Sequence, residues 1–284
     1  MTLVQHQALQ IDCIDQGRGA PVVLVHSSVS GNRQWRRLVE RLSPRRRVIA
    51  PNLLGYGATT PWPAARPQTI SDALQVLLGA VAALVPDEPL QLVGHSWGGA
   101  LALHAAHRLG DRVSRLVLYE PMLPGLLAAH GRLQAATETR TLHAQLRDCA
   151  ARGDWLGAAE RFTDYFNGDG TWAGTPPPRR RAIADALPPN LHEWDAAMAP
   201  LHADALAGVR ARTLLMRGRR TRAALHEMSA LLYRRFAHWR LVDVAGCGHM
   251  APLTHADTIN HWIADFLDEA GGPARVERTE AALA

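Results

Sequence analysis

The residues Gly94-His95-Ser96-Trp97-Gly98-Gly99 hold one serine in a Gly-x-Ser-x-Gly spacing. Residues 89–94 before it form an apolar, strand-like run, and residues 100–109 after it read as a helix. On such a strand–turn–helix junction the hydroxyl is presented at a turn too tight for bulky neighbours, hence a glycine on either side. A serine hydroxyl is a weak nucleophile at neutral pH and needs an adjacent base, usually an imidazole. Of the 14 histidines, His249 fits best. It lies in the glycine-rich loop Gly246-Cys247-Gly248-His249, after the last expected strand, where the serine-first order of such sites puts the base. Acyl chemistry also requires two backbone N–H donors for a developing oxyanion. One is expected from Trp97, the residue after the serine, and the other from residues 27–31.

The elements that must position these groups alternate in type. Strands are expected at residues 9–14, 21–26, 47–51, 90–93, 113–119, 212–216 and 238–244. Helices are expected at 35–42, 70–84, 100–109, 223–236 and 258–269. Apolar strands joined by helical crossovers are the pattern of a mostly parallel sheet. From residue 122 to about 207 that rhythm stops. Alanine-rich helical stretches there carry Trp155, Phe162, Tyr165, Phe166, Trp172 and Trp194, punctuated by proline runs. Trp155 and Trp194 are expected to pack a small core of that insertion, and the turn at 165–172 is a candidate to face the site.

Composition narrows the function classes. With 284 residues, 47% hydrophobic and 20% charged, the chain reads as an ordinary globular protein. All 31 basic residues are arginine, spread along the chain, and the runs at 45–47, 179–181 and 217–222 are expected on solvated surface rather than on a nucleic-acid-binding face. Three scattered cysteines make neither a metal spacing nor a disulfide framework, and Cys247 reads as a small buried residue rather than a nucleophile. No signal segment or membrane span is apparent, so a cytoplasmic location is expected. The motif lacks the middle glycine of a dinucleotide-binding loop.

Taken together, the chain resembles the α/β-hydrolase superfamily, specifically its cap-bearing serine hydrolases, over nearly all of residues 1–270. The resemblance rests on Leu24-Val25-His26, on Trp35, on the stretch from Ala50 through Asn52 and Gly55 to Gly57, on the Ser96 turn, and on Gly246 to His255 around His249. It implies an α/β-hydrolase fold, a mostly parallel sheet flanked by helices, with a helical cap inserted after the sixth strand. The expected division is a core of residues 1–121 and 208–270, a cap of 122–207 and a flexible tail of 271–284. It implies a cofactor-independent, metal-free hydrolase that acts on a small acyl substrate through an acyl-enzyme on Ser96, with no nucleic-acid or membrane partner. The same machinery could cleave a carbon–carbon bond, transfer acyl groups or perform perhydrolysis, and a non-catalytic binding protein could keep the fold.

Two positions depart from the family pattern. His26-Ser27 stands where His-Gly is usual, and by position Ser28 supplies the second oxyanion N–H. The usual acid, an aspartate in Gly-x-x-Asp after the 212–216 strand, is replaced by Thr221. Some superfamily members carry the acid at the end of the preceding strand, which here is Glu120. Asp243, Glu227 and an acid-free Ser–His dyad are the alternatives.

Overall fold

The computed structural model describes residues 2–269 and 278–281. Its sheet runs in the order β1-β2-β4-β3-β5-β6-β7-β8-β9. The strands are β1 (Thr2–His6), β2 (Leu9–Gln16), β3 (Pro21–Val25), β4 (Arg47–Pro51), β5 (Leu90–His95), β6 (Val113–Tyr119), β7 (Arg212–Gly218), β8 (Arg240–Val244) and β9 (Arg278–Ala281). The β1–β2 and β2–β4 pairs are antiparallel and all others are parallel. Eight strands thus make a mostly parallel α/β-hydrolase sheet, and β9 adds a short edge. The expected flexible tail falls mainly on residues outside those described; within it, β9 pairs with β8.

The central strands are apolar on both faces because both faces are covered. Val23, Val25, Leu92, Leu116, Leu118 and Leu215 meet α2 (Ile70–Leu84), α3 (Trp97–Leu109) and α9 (Ala223–Arg235). Val22, Leu24, Val93, Val117, Leu214 and Val242 face the other layer, α1 (Arg36–Leu42) and α11 (Ala256–Asp268). Thr69 caps α2 reciprocally with Asp72, which fixes where that helix begins. Because the crossover after β3 goes to one side and that into β5 to the other, the strand order reverses between them. A crevice opens there at the carboxyl ends of the strands.

Between β6 and β7 the chain leaves the sheet. It forms α4 (Gly125–Ala129), α5 (Leu133–Ala151), α6 (Trp155–Asn167), α7 (Pro177–Asp185) and α8 (Pro188–Ala197). This helical insertion covers the crevice. One surface expectation is corrected: Arg217, expected in a solvated run, is buried and paired with Asp243. The β7–β8 register sets these two residues side by side, so the pair satisfies both charges.

Candidate active site

Ser96 sits between β5 and α3 at φ 55°. Its neighbours must be small. A side chain on Gly94 would collide with Gly98 O and the Cα of Gly99, and one on Gly98 with the carbonyls of Val25 and His26. The left-handed turn is held by Ser96 N–H donating to Tyr119 O and by Met122 N–H donating to Ser96 O, both at 3.0 Å. A non-glycine residue in this conformation is strained by about 1–3 kcal/mol, which the surrounding structure must hold.

His249 reaches the serine from the loop after β8. Its Nε2 lies 2.9 Å from Ser96 Oγ and its Nδ1 lies 2.7 Å from Glu120 Oε2. A carboxylate only accepts, so Nδ1 carries the proton and Nε2 is left to accept from the serine hydroxyl. Glu120 is wholly buried and also left-handed, at φ 41°. Its Oε1 accepts the Gly218 N–H at 2.7 Å, and its Oε2 also accepts the Thr221 hydroxyl at 2.9 Å. Thr221, at the family's usual acid position, therefore donates to the carboxylate that reaches the histidine. The alternative acids are engaged elsewhere: Asp243 with Arg217 and Glu227 with Arg132. Cys247 is fully buried, and burial followed by the Glu120 charge raises its thiol pKa.

The loop after β3 is fixed group by group. His26 Nδ1–H donates to Ser27 O at 2.7 Å, while its Nε2 accepts Leu53 N–H at 3.0 Å. Ser27 donates through both N–H and hydroxyl to Gln34 Oε1 at 3.0 and 2.8 Å, and Val29 N–H donates to Tyr56 Oη at 3.0 Å. The Ser28 and Trp97 N–H groups find no acceptor among the described residues. Gln34 Nε2 continues the network to His95 Nδ1 at 3.1 Å, and His95 Nε2–H donates to His249 O at 2.9 Å. Burial, then the His249 charge, holds His95 well below the usual histidine range, so it stays neutral beside the site histidine.

A cavity opens beside these groups. Its apolar walls are Trp97, Met122, Phe162, Phe166, Trp194 and Met250; its polar points are Ser27, Ser28, Ser96, His249, Asn190 and Glu193. Trp194, expected within the insertion's own core, lines the cavity and stacks on His143. Phe166, expected in the 165–172 turn, belongs instead to the last turn of α6, and its ring centroid lies 4.9 Å from that of His249. Sequence reasoning missed Gln34, His95 and Glu193. Glu193 Oε2 accepts from the Ser28 hydroxyl, from Tyr56 Oη at 3.3 Å and from Asn190 Nδ2 at 3.5 Å, and burial pushes this carboxyl up to about 7.

Fold and site together define a hydrolase class. A model of the alpha/beta hydrolase family matches residues 22–262, and the chain belongs to that family. It is 32% identical to a 2-hydroxy-6-oxo-2,4-heptadienoate hydrolase from Pseudomonas putida, over 89% of this chain and 91% of that protein. It is 33% identical to lipase LipV from Mycobacterium tuberculosis, over 82% of this chain and 87% of that one. Among solved structures it is similar to a thermophilic esterase from Thermogutta terrifontis, with a TM-score of 0.72 at 22% identity, covering 94% and 97% of the two chains. No helix among the described residues is long and apolar enough to cross a membrane.

Proposed function

We propose that this hydrolase cleaves uncharged carboxylic esters through an acyl-enzyme on Ser96. His249 Nε2 takes the Ser96 proton as Oγ attacks the carbonyl carbon. The Ser28 and Trp97 N–H groups receive the oxyanion, and Glu120 holds the imidazolium that forms. The same imidazolium then protonates the departing alcohol. Water, deprotonated by His249, attacks the acyl carbon and releases the acid, restoring Ser96.

The observation that carries the ester reading is the lining of the cavity. It contains six large apolar or aromatic side chains, no arginine, and one buried acidic side chain, Glu193. One relative's named substrate is a dienoate, an anion that needs a cation or several donors to replace its water. A neutral ester needs none. Carbon–carbon hydrolysis remains the second reading because that relative is similar over nearly its whole length.

The test is a substrate panel read beside covalent labelling. A fluorophosphonate should label wild type and not Ser96→Ala, and short neutral p-nitrophenyl esters should be turned over far faster than vinylogous 1,5-diketo acids. Unlabelled wild type would sink the nucleophile assignment. Faster cleavage of the diketo acids would move the assignment to carbon–carbon hydrolysis.

A further inference from the structure

Asn190 and Glu193 lie three residues apart on α8, a spacing that puts both on one helix face, and both line the cavity that holds Ser96. They are 2% and 5% exposed. The two oxygens of Glu193 differ. Oε2 is the acceptor for Ser28, Tyr56 and Asn190, whereas Oε1 has no partner, and neither does Asn190 Oδ1. Buried polar atoms left unpaired cost stability. Two of them, on neighbouring residues that line a cavity whose larger walls are aromatic and methionine side chains, mark a place where a ligand group completes the pairing. No arginine or histidine pairs with the Glu193 carboxyl among the described residues, and burial lifts it to about 7. With Oε2 accepting three donors, its proton belongs on Oε1. Two residues that line the cavity thereby hold one O–H donor, on Glu193, and one acceptor, on Asn190. A hydroxyl group, which accepts once and donates once, matches both.

We propose that Glu193 and Asn190 form a polar subsite under the helical insertion that selects acyl substrates carrying an uncharged hydroxyl group. Its use in turnover rests on the ester-hydrolase reading; its use in binding does not. The alternative occupant is an ammonium group, drawn by an ionised Glu193 and the aromatic walls.

Ser96→Ala protein would be titrated calorimetrically with methyl esters of saturated four- to eight-carbon acids ending in methyl, hydroxyl or ammonium. The hydroxyl ester should bind roughly tenfold tighter than its methyl counterpart at the chain length that reaches the subsite. Adding Glu193→Gln, which stays neutral with a donor and an acceptor, should keep that preference within about threefold. Adding Glu193→Leu or, independently, Asn190→Leu should remove it, with circular dichroism checking the fold. Equal binding of methyl and hydroxyl esters at every length would overturn the subsite. So would a preference for ammonium esters that Glu193→Gln abolishes. If active enzyme turns over none of these esters while the hydroxyl preference persists in Ser96→Ala, the ester reading fails and the subsite stands.

Discussion

Glu120 holds its position through three different donors: a backbone N–H, a hydroxyl and an imidazole N–H. Removing the charge while keeping the shape separates orientation from electrostatics. Glu120→Gln should lower kcat by about 10³–10⁴-fold, because the amide cannot stabilise the imidazolium and favours the wrong tautomer. Thr221→Ala removes one donor and leaves the acid in place, so it should cost only about three- to tenfold. Both are read as kcat on one ester; a Glu120→Gln enzyme near full turnover would refute the assignment of Glu120 as the acid. Ser96 and His249 stood out because their motifs are local, and Glu120 because the resemblance to superfamily members with the acid after the preceding strand pointed there; the structure brings the three side chains together. Thr221 was misjudged. Its sequence position suggested only a missing acid, while its partner lies 101 residues away and becomes visible once β6 and β7 are adjacent.

At the level of elements, α8 carries what no motif announced. Glu193 sits in a short helix that opens on Pro188-Pro189, and its buried environment is created by Ser28 and Tyr56 from two distant loops. Its carboxyl is ordinary in the unfolded chain, near 4.5, and shifted to about 7 when folded. Between those values the native state holds the extra proton. Stability from this group is therefore present below pH 4.5 and falls as pH rises to 7, by roughly 3 kcal/mol. Glu193→Gln has no such slope. Urea denaturation at pH 5 and pH 8 should show the variant gaining on wild type at the higher pH; equal gains at both would mean that Glu193 titrates normally. Other elements were easier to read: α2 keeps a helical apolar periodicity along its length, and β6 ends in the apolar run 116–119. β1 escaped notice because it is an edge strand that buries little besides Val4, so its periodicity is faint.

Among the described residues, burial shifts five histidines towards the neutral form, three of them, His26, His95 and His104, strongly. Burial lowers His26 to about 4 and His95 well below the usual range; burial, then neighbouring His107 and Arg108, lowers His104 to about 4. Each must charge when the chain unfolds in acid. Their stabilisation is intact above pH 6.5 and is lost as pH falls towards 4, at roughly 3 kcal/mol each for His26 and His104. Glu193 acts in the opposite direction over an overlapping range, and the three histidines outweigh it. The thermal midpoint should therefore drop steadily between pH 6.5 and 4. A flat profile would show that these rings take up protons without unfolding.

The last consequence comes from the hydrogen bonds that carry the sheet pattern one residue past the strand ends, Ser96 N–H to Tyr119 O and Glu120 N–H to Met216 O. Ser96 and Glu120 are thereby fastened to the ends of buried central strands rather than to a separate loop. Turnover should then vanish in the same transition that erases the far-ultraviolet circular dichroism of the sheet, with no earlier inactivation phase. Catalysis becomes a built-in gauge of the cooperative folded population.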